Sequence, residues 1–393
     1  MQIPRHILPI IVFSQFCCTS LWFASNAIIS DLAVTYGLDP TITGNITSAV
    51  QMGFIVGTLV FAILSIADRF SPSLVFMWCA FLGAALNLGV LWSGSTLLSI
   101  LGFRFVVGFF LAGIYPVGMK IAADYYSKGL GLSLSLLVGA LVLGTAFPHL
   151  LKVTAQSIDW RLVIYITSAL AALGGLLIYL FVPDGPNRRP AQKIQLSSFF
   201  QVFKNRPFRA AAFGYFGHMW ELYTFWAFVP VMIATFNAGK AQSALDVSLW
   251  AFITIGIGAL ACFIGGVLSQ RYGTRTIAKA ALVSSGFCCL LSPWIIGSGM
   301  VWLFIIFLLF WGMTVITDSP LFSTMVAHNA TPELKGTALT IVNCIGFAIT
   351  IVSIQLLSGL WAGTSSNYIF MILAIGPALG LWALRSPGSV ERS

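Results

Sequence analysis

The chain has 393 residues, of which 58% are hydrophobic and 8% charged, and its mean hydropathy is +0.95. Soluble domains carry about 25% charged residues, so this complement cannot cover a water-soluble protein of such size; a soluble enzyme, a disordered chain and a disulfide scaffold are excluded. The net charge of +9 would suit nucleic-acid binding in a soluble protein, but in a polytopic membrane protein it is an orientation signal, and no nucleic-acid partner is expected.

A bilayer core of about 30 Å takes about 20 apolar residues per helix. Runs of that kind lie near 8–30, 43–66, 73–93, 97–122, 130–152 and 162–183, and again near 210–236, 247–269, 276–298, 301–327, 336–360 and 367–385. The first run follows Arg5, is long for a signal-peptide core and has no small-residue cleavage site after it, so it reads as the first of twelve membrane helices. With the N-terminus inside, sixteen basic residues fall in inner loops, while Lys152, Arg161 and Lys240 fall outside and Arg104 lies within a helix. That bias places both termini in the cytoplasm. Seven cysteines sit inside apolar runs and read as small buried hydrophobes.

The long polar loop divides the chain into a bundle over 1–183, an interdomain loop over 184–209, a second bundle over 210–385 and a tail over 386–393. Within the loop, SSFFQVFKNRPFR is basic and amphipathic, as expected of a helix lying on the inner membrane surface; a plain solvated linker fits equally. The two bundles carry a duplication. Aligning Pro116 with Pro320 also aligns Gly108 with Gly312, and the loops at Asp68 and Gln270 fall at similar distances before them. Parallel repeats of this kind build a cavity between them near the bilayer midplane.

Across essentially its whole length the chain resembles the major facilitator superfamily of secondary transporters, bacterial type, with no subfamily assigned. The resemblance rests on the loop between helices two and three, G-x-L-A-D-R-x-G-R-R in the family. The second copy, GVLSQRYGTR, fits apart from Gln270 at the acid position. The first, LSIADRFSPS, keeps Asp68 and Arg69 but lacks the glycines and later basic residues. The implied fold is an all-α integral membrane protein, twelve helices in two pseudo-symmetric halves. The implied role of Asp68, Arg69, Gln270, Arg271 and Arg275 is a latch, with Asp68 meeting a basic residue of the other half; Arg271 and Arg275 serve equally as topology determinants. The fourth helix, FRFVVGFFLAGIYPVGMK, resembles the family's R-x3-G pattern with a later Gly and Pro.

Arg104 in that helix needs a partner or a wet cavity, and reads as an anion site, a group that tunes a neighbouring carboxylate, or a structural tie. Gly108, Gly113 and Gly312 are grouped with Pro116 and Pro320 as helix-bending residues, while close packing is the alternative for Gly108, Gly113 and Gly118. The seventh helix, GYFGHMWELYTFWAFVP, is the most unusual stretch. His218 and Glu221 share one helix face, Glu221 as a proton-coupling carboxyl and His218 as its relay. Tyr215, Trp220, Tyr223 and Trp226 are cavity candidates, and their spread around the helix predicts that some face lipid. In the tenth helix Asp318 is a second proton or cation group; its bland alternative is a bond to backbone freed by Pro320. Gln15, Asn26, Asn45, Gln51, Asn343 and Gln355 are lesser cavity candidates.

No Walker A, HExxH, CxxC or GxSxG motif is present, so no catalytic residue, metal or cofactor is expected. The fifth helix, GALVLGTAFPHLL, lacks the Gly-Pro signature of the family's drug/proton antiporters. The expected function is alternating-access transport of a small, charged organic solute coupled to protons, by a monomer among lipids of the bacterial inner membrane. A uniporter, an anion porter, a drug exporter and a polytopic lipid-modifying enzyme are the alternatives.

Overall fold

The computed structural model describes residues 3–38, 43–126, 130–155, 159–188, 202–238, 245–331 and 334–385. Residues 189–201, which include the first five residues of the amphipathic stretch 197–209, together with Lys240 and the tail 386–393 lie outside the described residues. Every regular element among the described residues is helical. Ten helices are long and apolar enough to cross a membrane, and the shorter apolar helices Ile7–Thr19 and Asn367–Ala383 stand at the first and last of the twelve expected runs. The chain forms two compact units, Met1–Lys193 and Ile194–Ser393.

In unit 1 the expected first helix is broken. Helix α1 (Ile7–Thr19) gives way to a turn-like segment over 20–28 before α2 (Ile29–Tyr36). Here Leu21 and Trp22 donate backbone bonds three residues back, to Cys18 and Thr19. The side chains of Thr19 and Ser20 bond to the carbonyls of Gln15 and Cys17, the local competition that shortens helices at Ser and Thr. The unit continues with α3 (Thr43–Ile63), the short α4 (Ile66–Arg69), α5 (Pro72–Leu88), α6 (Leu97–Leu111), α7 (Tyr115–Tyr125), α8 (Leu130–Ala155) and α9 (Arg161–Phe181). The fourth run is thus also divided, with Gly113 in the break and Pro116 in the first turn of α7, where its missing N–H leaves no bond unmade.

Unit 2 holds α10 (Arg206–Asn237), α11 (Val247–Tyr272), α12 (Thr274–Gly297), α13 (Val301–Thr317), α14 (Ser319–Asn329), α15 (Lys335–Thr364), a 3-10 helix Asn367–Ala374 and α16 (Ile375–Ala383). The tenth run breaks at Asp318, with Pro320 opening α14.

The duplication seen in the sequence reappears as a contact. A Cβ on Gly108 of α6 would overlap the carbonyl oxygen of Val50 on α3, and one on Gly312 of α13 would overlap that of Thr254 on α11. The offsets 312 − 108 and 254 − 50 both equal 204, as does 320 − 116. Small residues let two backbones approach in lipid, where van der Waals contact drives helix association. Gly108 and Gly312 therefore sit at helix crossings rather than at bends; of the three glycines grouped with the prolines, Gly113 occupies a break.

Candidate functional site

Two buried polar clusters stand out, one in each unit. In unit 2, Glu221 lies halfway along α10 and is 1% exposed. Three donors from other helices converge on it. The Trp311 indole N–H of α13 donates to Oε1 at 2.6 Å, the Ser285 hydroxyl of α12 to Oε2 at 2.8 Å and the Cys289 thiol of α12 to Oε1 at 3.2 Å. No cation among the described residues pairs with it. Ser285 Oγ also has the carbonyl of Leu282 at 3.4 Å, so its hydrogen has a second acceptor.

The expected relay between His218 and Glu221 is not the contact formed. His218 Nδ1 stands 2.8 Å from Asp318 Oδ1, both residues almost fully buried. Asp318 caps no backbone N–H with its side chain, so the local bond that the proline break offered is not used; the carboxyl turns to α10 instead. Tyr215 and Phe322 rings flank the imidazole, with centroids 6.0 and 6.3 Å away.

The aromatics of α10 depart from expectation. None of the four candidates is exposed: Tyr215 is buried, and Tyr223 and Trp226 lie within residues 221–229, all of which are buried, whereas Phe213 is the aromatic of this helix that is exposed. Tyr223 packs against Trp226 and Phe347, with centroids 5.2 and 5.3 Å apart. Trp220 is half-buried and donates to the carbonyl of Ile372, an acceptor in the 3-10 turn of the last span.

In unit 1, Arg104 is fully buried and committed to structure. Its Nη2 donates to the carbonyls of Leu21 and Trp22 at 2.7 and 2.8 Å, and Nη1 to Asn87 Oδ1 at 2.9 Å. Those carbonyls belong to the broken segment after α1, which explains why a guanidinium is needed at depth: it supplies donors that the interrupted helix cannot. Of the readings open for Arg104 these contacts are those of the structural tie; no carboxylate among the described residues meets it, and its Nε is buried without a partner. Asn87 accepts from Arg104 at Oδ1 and gives its own N–H groups to Thr167 and Ser168 of α9.

The remaining candidates divide. Gln15 and Gln51 are fully buried, and Asn26 donates to Thr47 Oγ1 at 2.7 Å. Asn343 is half-buried, whereas Asn45 and Gln355 lie on exposed helix faces. In the first latch copy, Asp68 pairs at 2.9 Å with Lys120 of its own unit, which also approaches Asp124 at 3.7 Å. Within its own unit the partner of Asp68 is thus Lys120 of α7. Arg188 binds Asp184 and the carbonyls of Asp68 and Phe70, tying the end of the sixth span to the same loop. Arg69 and Gln270 are exposed, Arg271 lies over the Tyr272 ring at 5.3 Å, and Arg275 donates to the carbonyl of Leu384 at 2.6 Å.

The model of the Major Facilitator Superfamily matches residues 11–354. The chain belongs to the Major Facilitator Superfamily. Membership makes this facilitator a multi-pass membrane transporter rather than an enzyme. A curated relative, the ascochitine biosynthesis cluster MFS transporter of Didymella fabae, is 29% identical over 169 residues, 41% of this chain and 32% of the relative. The match thus spans about a third of that relative's length. Among solved structures, the human organic anion transporter MFSD10 (TETRAN) aligns over 98% of this chain and 100% of its own, with a TM-score of 0.72 and 15% identity. The proton:xylose symporter XylE bound to 6-bromo-6-deoxy-D-glucose aligns over 96% and 94%, with a TM-score of 0.74 and 13% identity. At such identities these two report the shared fold.

Sequence reading of this facilitator missed Trp311, Ser285, Cys289, Asn87, Lys120 and His149. Asn87 could have been found as a lone amide in an apolar run. Cys289, read as a small hydrophobe, serves as a donor to Glu221, a role invisible without the neighbouring helix. His149 in α8 is 2% exposed, and its Nε2 is without a hydrogen-bond partner.

Proposed function

We propose that this facilitator is a proton-coupled symporter of a small organic solute, with Glu221 as the group that takes up and releases the proton. The observation that carries the reading is the mixed donor set around a buried carboxyl without a cation. An indole N–H can only donate, so Trp311 fixes Oε1 in either protonation state. A hydroxyl can donate or accept. Ser285 serves the carboxylate by donating to Oε2, and the protonated acid by turning its hydrogen to Leu282 and accepting from the acid. Both states are therefore hydrogen-bonded without moving a helix, which is what a carboxyl cycling through a membrane interior requires. The His218–Asp318 contact is the second proton-bearing pair in this reading.

The cycle is alternating access by two six-helix halves, 1–183 and 210–385, joined through 184–209. The excess of basic residues supports cytoplasmic termini in the inner membrane, and we take the working unit to be a monomer in contact with lipid. Printed names of the structural neighbours, one an organic anion transporter and one a proton:xylose symporter, cover both a charged and a neutral solute.

The test uses proteoliposomes of the wild type and Glu221→Gln under an imposed proton gradient, assayed for uptake of labelled solutes. The wild type accumulates its solute above the equilibrium level, and the variant only equilibrates it. Accumulation by the variant with an unchanged pH dependence overturns the role.

A further inference from the structure

We propose that unit 1 holds a binding site for an uncharged, hydroxyl-bearing solute, built by the amides of Gln51 and Asn26 with Ser25 and Thr58. The proposal rests on the transporter reading above and names the class of solute it carries.

Buried polar groups are normally hydrogen-bonded, and each exception calls for an explanation. In unit 1 several of the exceptions lie on α1, the broken segment after it and α3, while Ser14 on α1, Ser95 just before α6, Arg104 Nε on α6, and Thr145 and His149 on α8 add others. Both amide atoms of Gln51, both of Gln15, Oδ1 of Asn26, Oγ of Ser25 and Oγ1 of Thr58 are buried without a partner. Thr47, Gln51, Phe54 and Thr58 follow at intervals of four, three and four, and so share one face of α3. Two contacts show what that face meets. Asn26 Nδ2 donates to Thr47 Oγ1 at 2.7 Å, and the Phe54 ring lies 4.9 Å from that of Trp22. The face is therefore turned to the broken segment over 20–28, which brings Ser25 and Asn26 to Gln51.

The chemistry of the set decides the solute. A carboxamide offers both donors and an acceptor without charge, which matches a C–OH group that donates and accepts at once. An anion would need a free cation. Arg104 gives both Nη groups to two carbonyls and Asn87, which leaves only its Nε–H without a partner, and Lys120 is paired with Asp68. A cationic solute would need a carboxylate among these residues, and the set contains none. The Phe54 and Trp22 rings beside the amides add apolar surface suited to the C–H face of a polyol. His149 is the exception to weigh, since a protonated imidazole could take an anion, and the experiment includes it.

The experiment measures thermal stability of the purified full chain in lipid nanodiscs with matched probes: sorbitol and D-glucose against gluconate and D-glucuronate. At least one neutral probe is expected to raise the melting temperature of the wild type while its acid counterpart does not. Gln51→Leu should weaken that affinity about tenfold, the loss expected for an amide making two hydrogen bonds. The unliganded variant should melt no lower than the wild type, because it removes buried atoms that have no partner. A Gln51 that merely supports the fold would behave in the opposite way, lowering the unliganded melting temperature. Gln51→Glu, nearly isosteric, provides a second variant that should also lose the neutral probe.

Three results overturn the proposal: neither neutral probe stabilises the protein, the response survives Gln51→Leu, or the acids stabilise it through a response that His149→Gln abolishes. Glu221→Gln separates this inference from the coupling reading, since it should keep the neutral-probe response. A retained response without proton-driven accumulation would sink the coupling and leave the site standing.

Discussion

Arg104 and Glu221 are both charged types buried in apolar helices, and the structure treats them in opposite ways. The guanidinium has a fixed fork of donors and meets fixed acceptors, two backbone carbonyls and Asn87, so every bond it makes is spent on holding a segment in place. The carboxyl instead meets one donor that cannot change and two, a hydroxyl and a thiol, that can. From that contrast comes a prediction about Arg104. Arg104→Leu leaves the carbonyls of Leu21 and Trp22 and the oxygen of Asn87 without donors, and should destabilise the protein by about 3–5 kcal/mol, the range for breaking a buried charged network. Arg104→Lys, a single point charge on a flexible stem, should recover only part of this. Chemical denaturation in detergent checks both; wild-type stability for Arg104→Leu would show that the segment after α1 holds itself. At this scale the sequence revealed the charged residues, since Glu221, Asp318 and Arg104 interrupt apolar runs. Their partners were not legible. Ser285, Cys289 and Trp311 reach Glu221 from 64, 68 and 90 positions away, and none of the three is unusual in an apolar helix.

Breaks in the spans show a similar division. Pro116 and Pro320 announced the interruptions before α7 and α14, because a proline is cheap only in the first turn of a helix. The break after α1 contains neither Gly nor Pro over 20–28 and was read as continuous helix. It is sustained by tertiary contacts, above all the Arg104 bonds to Leu21 and Trp22, which single-helix patterning cannot reveal. The glycine crossings are the element-scale feature most open to test. Gly108→Ala and Gly312→Ala would each press a methyl group into a carbonyl oxygen of the crossing helix, and backbone cannot yield as a side-chain tip can. Overpacking of that kind typically costs about 1–3 kcal/mol. Gly359, whose added Cβ would meet nothing within 4 Å, supplies the control, and Gly359→Ala should be neutral or slightly stabilising. Equal effects of all three substitutions on the melting temperature would mean that the crossings tolerate separation.

Over the whole chain, the duplicated halves share a skeleton and differ in chemistry. The offset of 204 that pairs Gly108 with Gly312 also pairs Ile114 with Asp318 and Arg104 with Leu308. At the break of the duplicated helix, unit 1 therefore carries an aliphatic residue where unit 2 carries the carboxyl that meets His218. Among the described residues, Gln15 and Gln51, the fully buried amides with no partner at either atom, lie in unit 1, and the buried carboxyls that meet neither Lys nor Arg, Glu221 and Asp318, in unit 2. Repetition was legible in the sequence, because glycine and proline mark backbone requirements that both copies retain. This division of chemistry was not, since it depends on which polar groups find partners. If proton handling belongs to unit 2, the two buried histidines must behave differently. His218→Gln removes the group at 2.8 Å from Asp318 and should change both the rate and the pH profile of proton-driven uptake. His149→Gln, in unit 1, should leave the pH profile as it is. Uptake measured in proteoliposomes across a range of external pH decides between these outcomes. A profile that moves with His149 and not with His218 would place proton handling in the wrong half of the molecule.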